Sequence, residues 1–370
     1  MVAPLLCGFD FGPYLQSVDT RGGTVMWSAH TGEPAKLTVR RAHGGHEISR
    51  VLVQGTSCGD VWEATTTGLQ AGTLYDYTLE QGADVARGRL QTAPVSGKPF
   101  TAAIYGDNRS DRQAHEAVAA RILAEDPDFI VHTGDLVLAG DLQREWQTFF
   151  EVAGPLMRDR PLFPISGNHE RSGDADLTEF RQFFHLPNNE YYYAFTWGNL
   201  RFLGIDVNVQ SDQGAPNAQQ TDWLLTQVKR AEADPAITHT IAFVHQGPFS
   251  SNPSRTGNLG VRQLLHDMYD AGLDLLVSGH DHFYERGFAD YGLPYMVVGS
   301  GGAPLYPTRG PGDYGAYTAL VSKSQHAFVK LRSMGRNLSL CAVDLDGLAF
   351  DCFDVPRSLL TPRIDRASAP

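Results

Sequence analysis

Two different hydrophobic rhythms divide the chain. Up to about residue 95, apolar and polar residues alternate in short runs such as Thr24-Val-Met-Trp-Ser28, Ala35-Lys-Leu-Thr-Val-Arg40 and Leu74-Tyr-Asp-Tyr-Thr-Leu79. Gly, Pro and Thr clusters separate these runs at roughly ten-residue intervals, the pattern of an antiparallel β-sandwich. Trp27 is expected to sit between its sheets. The segment Ala93-Pro-Val-Ser-Gly-Lys-Pro99 then reads as a linker. After Phe100, continuous apolar runs alternate with amphipathic stretches. Strands are expected at Thr101–Tyr105, Asp128–His132, Leu162–Ser166, Leu200–Asp206, Thr240–His245 and Leu273–Ser278. Helices are expected at Gln113–Glu125, Gln143–Met157, Gln219–Ala233 and Val261–Ala271. From Tyr291 onward strand patterning returns. Alternating units followed by antiparallel strands predict an α/β core of two sheets with helices outside. The expected organisation is a small all-β sandwich over residues 1–95, the α/β domain over 96–356, and a poorly ordered tail over 357–370.

Composition narrows the functional classes. The 370 residues are 42% hydrophobic and 19% charged, enough apolar material to exclude bulk disorder. Thirty basic against forty-two acidic residues give a formal charge of −12. That balance is the wrong sign for gripping a nucleic-acid backbone or an anionic membrane, so neither is expected as a partner. No apolar run reaches the roughly 18 residues of a membrane span. The N-terminal residues lack the charged region and long apolar core of a signal peptide. The protein is then either cytoplasmic, or periplasmic or secreted with its leader absent from this chain; export is the favoured expectation. The four cysteines have no zinc-like spacing. Cys341 and Cys352 flank an Asp-Gly turn between two strand-like runs, which suits a cross-strand disulfide. Cys7 with Cys58 would make a second; four buried free thiols are the alternative.

Candidate chemistry collects where the apolar strands end. Five such ends carry Gly106-Asp107-Asn108-Arg109, Gly134-Asp135, Gly167-Asn168-His169-Glu170, His245-Gln246-Gly247-Pro248 and Gly279-His280-Asp281-His282. Taken singly, a Gly-Asp after a strand is ordinary turn chemistry, and His132, inside its strand, reads as a packed core residue. Taken together, five signatures at the carboxyl ends of strands converge on one cleft. Oxygen and imidazole ligands without thiolate suit iron, manganese or zinc. A bridging carboxylate lets two ions sit about 3.5–4 Å apart.

At these residues the chain resembles the calcineurin-like metallophosphoesterases, most closely the purple acid phosphatase branch with its N-terminal fibronectin type III-like domain. Gly12-Pro-Tyr-Leu-Gln16 resembles the start of that domain, and Gly68-Leu-Gln-Ala-Gly-Thr-Leu-Tyr75-Asp-Tyr77 its tyrosine corner. Gly279-His-Asp-His-Phe-Tyr-Glu-Arg286 resembles the last motif of the branch, and Val298-Gly-Ser-Gly-Gly-Ala-Pro304 the strand after it. The resemblance implies a four-layer αββα catalytic domain. It implies that Asp107 and His282 bind a first metal, that Asp135 bridges, and that Asn168, His245 and His280 complete a second. It also implies hydrolysis of phosphate monoesters or diesters by a hydroxide shared between two ions, with His169 protonating the leaving group. The chain departs from the branch at the first metal. Arg109 stands where most relatives have a His ligand, and Leu138 where the purple enzymes have a Tyr. Neither side chain can ligate a metal, so no tyrosinate charge transfer and no purple colour are expected. Arg109 is expected either to grip substrate phosphate bidentately or to pair with a nearby carboxylate. Tyr284, with Asn168 and His169, is a candidate substrate contact; Tyr191, Tyr192, Tyr193, Asn208, Phe249 and Arg255 are candidate pocket walls. A phosphotriesterase-type hydrolase, a metallohydrolase acting on an amide or lactone, and an extracellular binding or adhesion protein with a degenerate site are the alternatives.

Overall fold

The computed structural model describes residues 9–29, 32–54, 61–209, 211–212 and 214–356. The N-terminal part is all β. Phe9–Gln16, Gly23–Ala29 and Val61–Thr66 form a three-stranded antiparallel sheet. Ala35–Arg41, Glu47–Val53, Leu74–Gln81 and Asp84–Gln91 form a four-stranded one. Trp27 is fully buried, stacks on Trp62 and donates its indole N–H to Gln81 Oε1 at 2.8 Å. The tyrosine corner is formed, with the Gln70 N–H donating to the Tyr75 hydroxyl at 2.8 Å.

Two larger sheets make the α/β part. In the six-stranded sheet, Phe100–Tyr105, Phe129–His132 and Leu162–Pro164 run parallel. Beyond them the antiparallel strands Ala327–Met334, Asn337–Asp344 and Ala349–Asp354 extend it. Cys341 lies directly opposite Cys352 and the two form a disulfide; Cys7, Cys58 and the tail from 357 lie outside the described residues. The eight-stranded sheet is built on the parallel strands Leu200–Ile205, His239–Gln246, Leu275–Gly279 and Pro294–Val298. Such strands, covered on both faces, must be apolar throughout; Leu275–Gly279 and Pro294–Val298 are buried at every position.

The sheets face each other across an aromatic seam in which Phe163 stacks on Phe195 at 3.8 Å and Phe195 on Phe202 at 4.7 Å. Helices Arg112–Ala124 and Gln143–Met157 cover the outside of the first sheet, and Ala218–Ala233 and Leu259–Ala271 the outside of the second. The result is the four-layer αββα arrangement. Three helix starts are capped: Asp111, Asn217 and Asn258 each accept backbone N–H bonds from the first turn. A short helix, Thr178–Phe183, is one that hydrophobic periodicity did not predict; six residues are too few to display a 3.6-residue repeat.

The N-terminal sheets are joined to this core by packing and by side-chain hydrogen bonds. Phe11 stacks on Phe150 at 4.1 Å. The Tyr14 hydroxyl donates to the Phe183 carbonyl and the Tyr77 hydroxyl to the Arg158 carbonyl, both at 2.7 Å.

Candidate metal centre

The five signature loops all leave their sheets at one edge, where parallel strands point their carboxyl ends. Asp107 follows Phe100–Tyr105, Asp135 follows Phe129–His132, and Asn168 lies beyond Leu162–Pro164. His245 closes His239–Gln246, and His280 follows Leu275–Gly279. Asp107, Asp135 and His280 have left-handed backbones, with φ of 55°, 57° and 69°. Asp and His enter that region more readily than most residues, but it still costs about 1–3 kcal/mol each. The loops spend that energy turning side chains back over the strand ends. Gly279 is required by close approach, since a Cβ there would lie 2.5 Å from Asp107 Oδ2.

The ligand atoms converge. One donor atom each from Asp107, Asp135 and His245 lie within 4.8 Å of one another, all three residues buried. His245 Nε2 is 3.2 Å from Asp135 Oδ1, 3.2 Å from Asn168 Oδ1 and 3.3 Å from His280 Nδ1. His282 Nε2 is 3.5 Å from Asp107 Oδ1. Two backbone carbonyls set the imidazole tautomers. His245 donates its Nδ1–H to Thr133 O and His282 to Pro304 O, each at 2.8 Å. Both rings thereby turn Nε2 into the cleft, as metal-ligating histidines do.

Electrostatics separates these groups. Burial opposes charge on His245, but the Asp135 and Asp107 carboxylates overcome it and push its pKa up to about 9. Burial works against Asp135 as well, yet His245, His169 and Arg109 hold its carboxyl far below the usual range. Asp107 is pushed well up by burial, with Asp135 adding to the effect. Burial, aided by His245 and Arg255, pushes His280 down to about 2. His282 falls to about 4, chiefly through burial, despite the Pro304 carbonyl.

These donors test differently against a cation on the two sides of Asp135. Asn168, His245 and His280 bring their ligand atoms together with Asp135, and these oxygen and imidazole donors fit a metal ion. On the other side Asp107 Oδ1 is buried without a hydrogen-bond partner, as a ligand oxygen would be. There, however, Arg109 intervenes. Its Nε donates to Asp135 Oδ2 at 3.1 Å, and its Nη2 lies 3.4 Å from His282 Nε2. Of the two roles read for Arg109, pairing with a carboxylate is the geometry present. Leu138 contributes no side-chain ligand; its carbonyl accepts the His169 Nδ1–H at 2.7 Å, which turns His169 Nε2 toward Asp135 Oδ2, 3.9 Å away.

Several expected pocket residues lie elsewhere. Tyr284 is fully buried against Phe350 and donates its hydroxyl to Asp351 at 2.7 Å, so the expectation that it touches substrate is corrected. Phe249 is buried against Tyr295 and Tyr317, Tyr192 against Trp223, and Tyr193 donates to Pro164 O. Tyr191 holds Arg181, and Asn208 donates to Ser166 O just before Gly167. Arg255 does reach the cleft. It donates to His280 O and Asp281 Oδ1 at 3.0 Å and lies over the Tyr306 ring, which stacks on His282 at 4.0 Å. A cavity of about 620 Å³ opens beside it, lined by Gln246, Asn258 and His280 among others.

Sequence reasoning missed the brace of the site. Glu170 is fully buried, and its carboxylate accepts the N–H groups of Asp135, Leu136, Val137 and Gly167 at 2.5–3.1 Å. It thus clamps the Asp135 loop to the Asn168 loop. Burial, with Asp135 nearby, raises its pKa to about 7. Its place in Gly-Asn-His-Glu was the available signal; the carbonyls of Thr133, Leu138 and Pro304 carry none.

Two facing mixed sheets, helices outside, and acidic, amide and imidazole ligands at one strand edge define a metallophosphoesterase. The chain belongs to the calcineurin-like phosphoesterase family, whose model matches residues 100–284, half of its length. An uncharacterized protein of Mycobacterium tuberculosis is 27% identical over 263 residues, covering 60% of this chain and 50% of its own. A probable purple acid phosphatase of Arabidopsis thaliana is 24% identical over 266 residues, covering 66% of this chain and 61% of its own. The chain therefore spans only about half to three-fifths of these relatives. A purple acid phosphatase from yellow lupin (Lupinus luteus) seeds shares the fold with a TM-score of 0.78 at 18% identity, over 93% of this chain and 74% of that one.

Proposed function

We propose that the protein hydrolyses phosphate monoesters or diesters in a metal-dependent reaction at this cleft. The observation that carries the reading is the meeting of Asp135, Asn168, His245 and His280 around His245 Nε2, with the imidazole turned inward by Thr133 O. In the family's two-ion arrangement Asp107, Asp135 and His282 would hold a first ion, and Asp135, Asn168, His245 and His280 a second. Bound metal of this class, iron, manganese or zinc, supplies a Lewis acid for phosphoryl oxygens and lowers the pKa of water. The chain's own residues do the rest. Asn168 has an amide to orient a phosphoryl oxygen. His169, a quarter exposed and anchored through Nδ1 to Leu138 O, points Nε2 inward and, when protonated there, delivers a proton to the departing alkoxide. Such a transfer is typically worth 10²–10⁴-fold. Arg255 and Tyr306 form the wall on the His280 side. The substrate is a small phosphoester, and the N-terminal sheets act as a buttress, a role supported by the Tyr14 and Tyr77 hydrogen bonds into the core.

Asp135→Asn and His280→Ala should each abolish hydrolysis of nitrophenyl phosphate and bis(nitrophenyl) phosphate, in protein that melts as the parent does. Retained turnover in either variant would place the chemistry elsewhere. A wild-type protein inactive with manganese and zinc supplied would favour the binding-module alternative.

A further inference from the structure

The two ligand sets share Asp135, and one of them already holds a cation. We infer that the protein carries a single metal ion, at Asp135, Asn168, His245 and His280, and that the Arg109 guanidinium takes the place of a second ion. The inference rests on the metal-dependent reading above and sharpens it.

Each guanidinium nitrogen is engaged. Nε donates to Asp135 Oδ2 at 3.1 Å, Nη1 to Ser110 Oγ at 3.3 Å, and Nη2 lies 3.4 Å from His282 Nε2. Because His282 gives its Nδ1–H to Pro304 O, its Nε2 presents a lone pair, and Nη2–H takes it. Asp135 Oδ2 and His282 Nε2 are two of the three donors that a first ion would need. The guanidinium charge repels a metal cation placed beside it. What remains for such an ion is Asp107 Oδ1 alone, since Oδ2 already accepts the His280 N–H at 2.9 Å. The arginine is held there by its loop. Its side chain is 12% exposed, and Asp107 and Ser110, on either side of it in the chain, have left-handed φ of 55° and 80°. Leu138 offers no replacement ligand, since its side chain is apolar.

The substitution changes what that side of the cleft can do. A guanidinium cannot acidify water as a metal ion does. It has five N–H groups, however, and three are used in the contacts above. Two remain on the terminal nitrogens to receive a phosphoryl oxygen as negative charge gathers on it.

The test is metal counting on whole protein loaded with manganese(II) and desalted, by elemental mass spectrometry together with electron paramagnetic resonance. The wild-type protein should hold about one ion per chain with the spectrum of an isolated ion. Arg109→His, which removes the cation and installs an imidazole, should hold about two with the spectrum of a coupled pair. Two ions per wild-type chain would overturn the inference and leave the metal-dependent reading standing, as would one ion in both proteins. No ion in either would overturn both. Should Arg109→His not fold, the wild-type count and spectrum alone decide.

Discussion

On one side of Asp135, Asn168, His245 and His280 face one another with no arginine or lysine side chain among the described residues hydrogen-bonded to their ligand atoms. On the other, Asp107 and His282 face Arg109. Both sides hang from the same kind of strand end and both keep their motif residues. They differ in support and in competition. Glu170 clamps the Asp135 and Asn168 loops through four backbone N–H groups. The Asp107 loop carries the competing guanidinium. A ligand set can therefore be intact in sequence and still have two of its donor atoms engaged by one neighbouring cation.

The largest effects are expected at the histidines. His245→Ala should lower metal affinity by more than about 100-fold, beyond the usual cost of losing an outer-shell partner, while His282→Ala should cost about tenfold or less. Titration of the purified variants with manganese against a fluorescent chelator measures both; equal losses would erase the asymmetry. The brace comes next. Glu170→Gln would turn an amide N–H toward donors that now meet a carboxylate, and should destabilise the fold by about 1–3 kcal/mol, read from the denaturant midpoint. A neutral result would mean that the two loops hold together without it.

A pH dependence sharpens the contrast further. His245 has its pKa raised from the ordinary 6.5 to about 9. Its pairing with Asp135 therefore stabilises the metal-free protein fully below about pH 6.5, and that contribution is lost as pH rises through about 9. A cation on Nε2 must expel the proton, so apparent metal affinity should fall about tenfold per pH unit from 8 to 6. His282, at about 4, is neutral across that range and adds no such slope. Chelator competition at three pH values checks it, and a flat profile would mean that His245 does not ligate.

Much of the layer structure was legible because parallel strands buried on both faces must be apolar throughout. Gln143–Met157 matches its expected helix at both ends, and the other three differ by one or two residues at the start or end. The boundary shifts arise where capping side chains such as Asp111 and Asn258 act outside the hydrophobic repeat. Among candidate walls, reading aromatic residues near a motif as cleft-lining failed for Tyr284 and Phe249. Both are consumed by packing against residues distant in the chain, Phe350 and Tyr317 respectively.

By itself the sequence determined which residue types end each strand, and hence that acidic, amide and imidazole side chains gather at one edge; this follows from local periodicity and turn chemistry. It also determined that Arg109 and Leu138 cannot ligate. Only the tertiary structure decided where the guanidinium points, which carbonyl fixes each imidazole, and that Glu170 joins two loops. Those outcomes depend on distances between segments as far apart as Arg109 and His282, and on backbone groups that every residue carries alike.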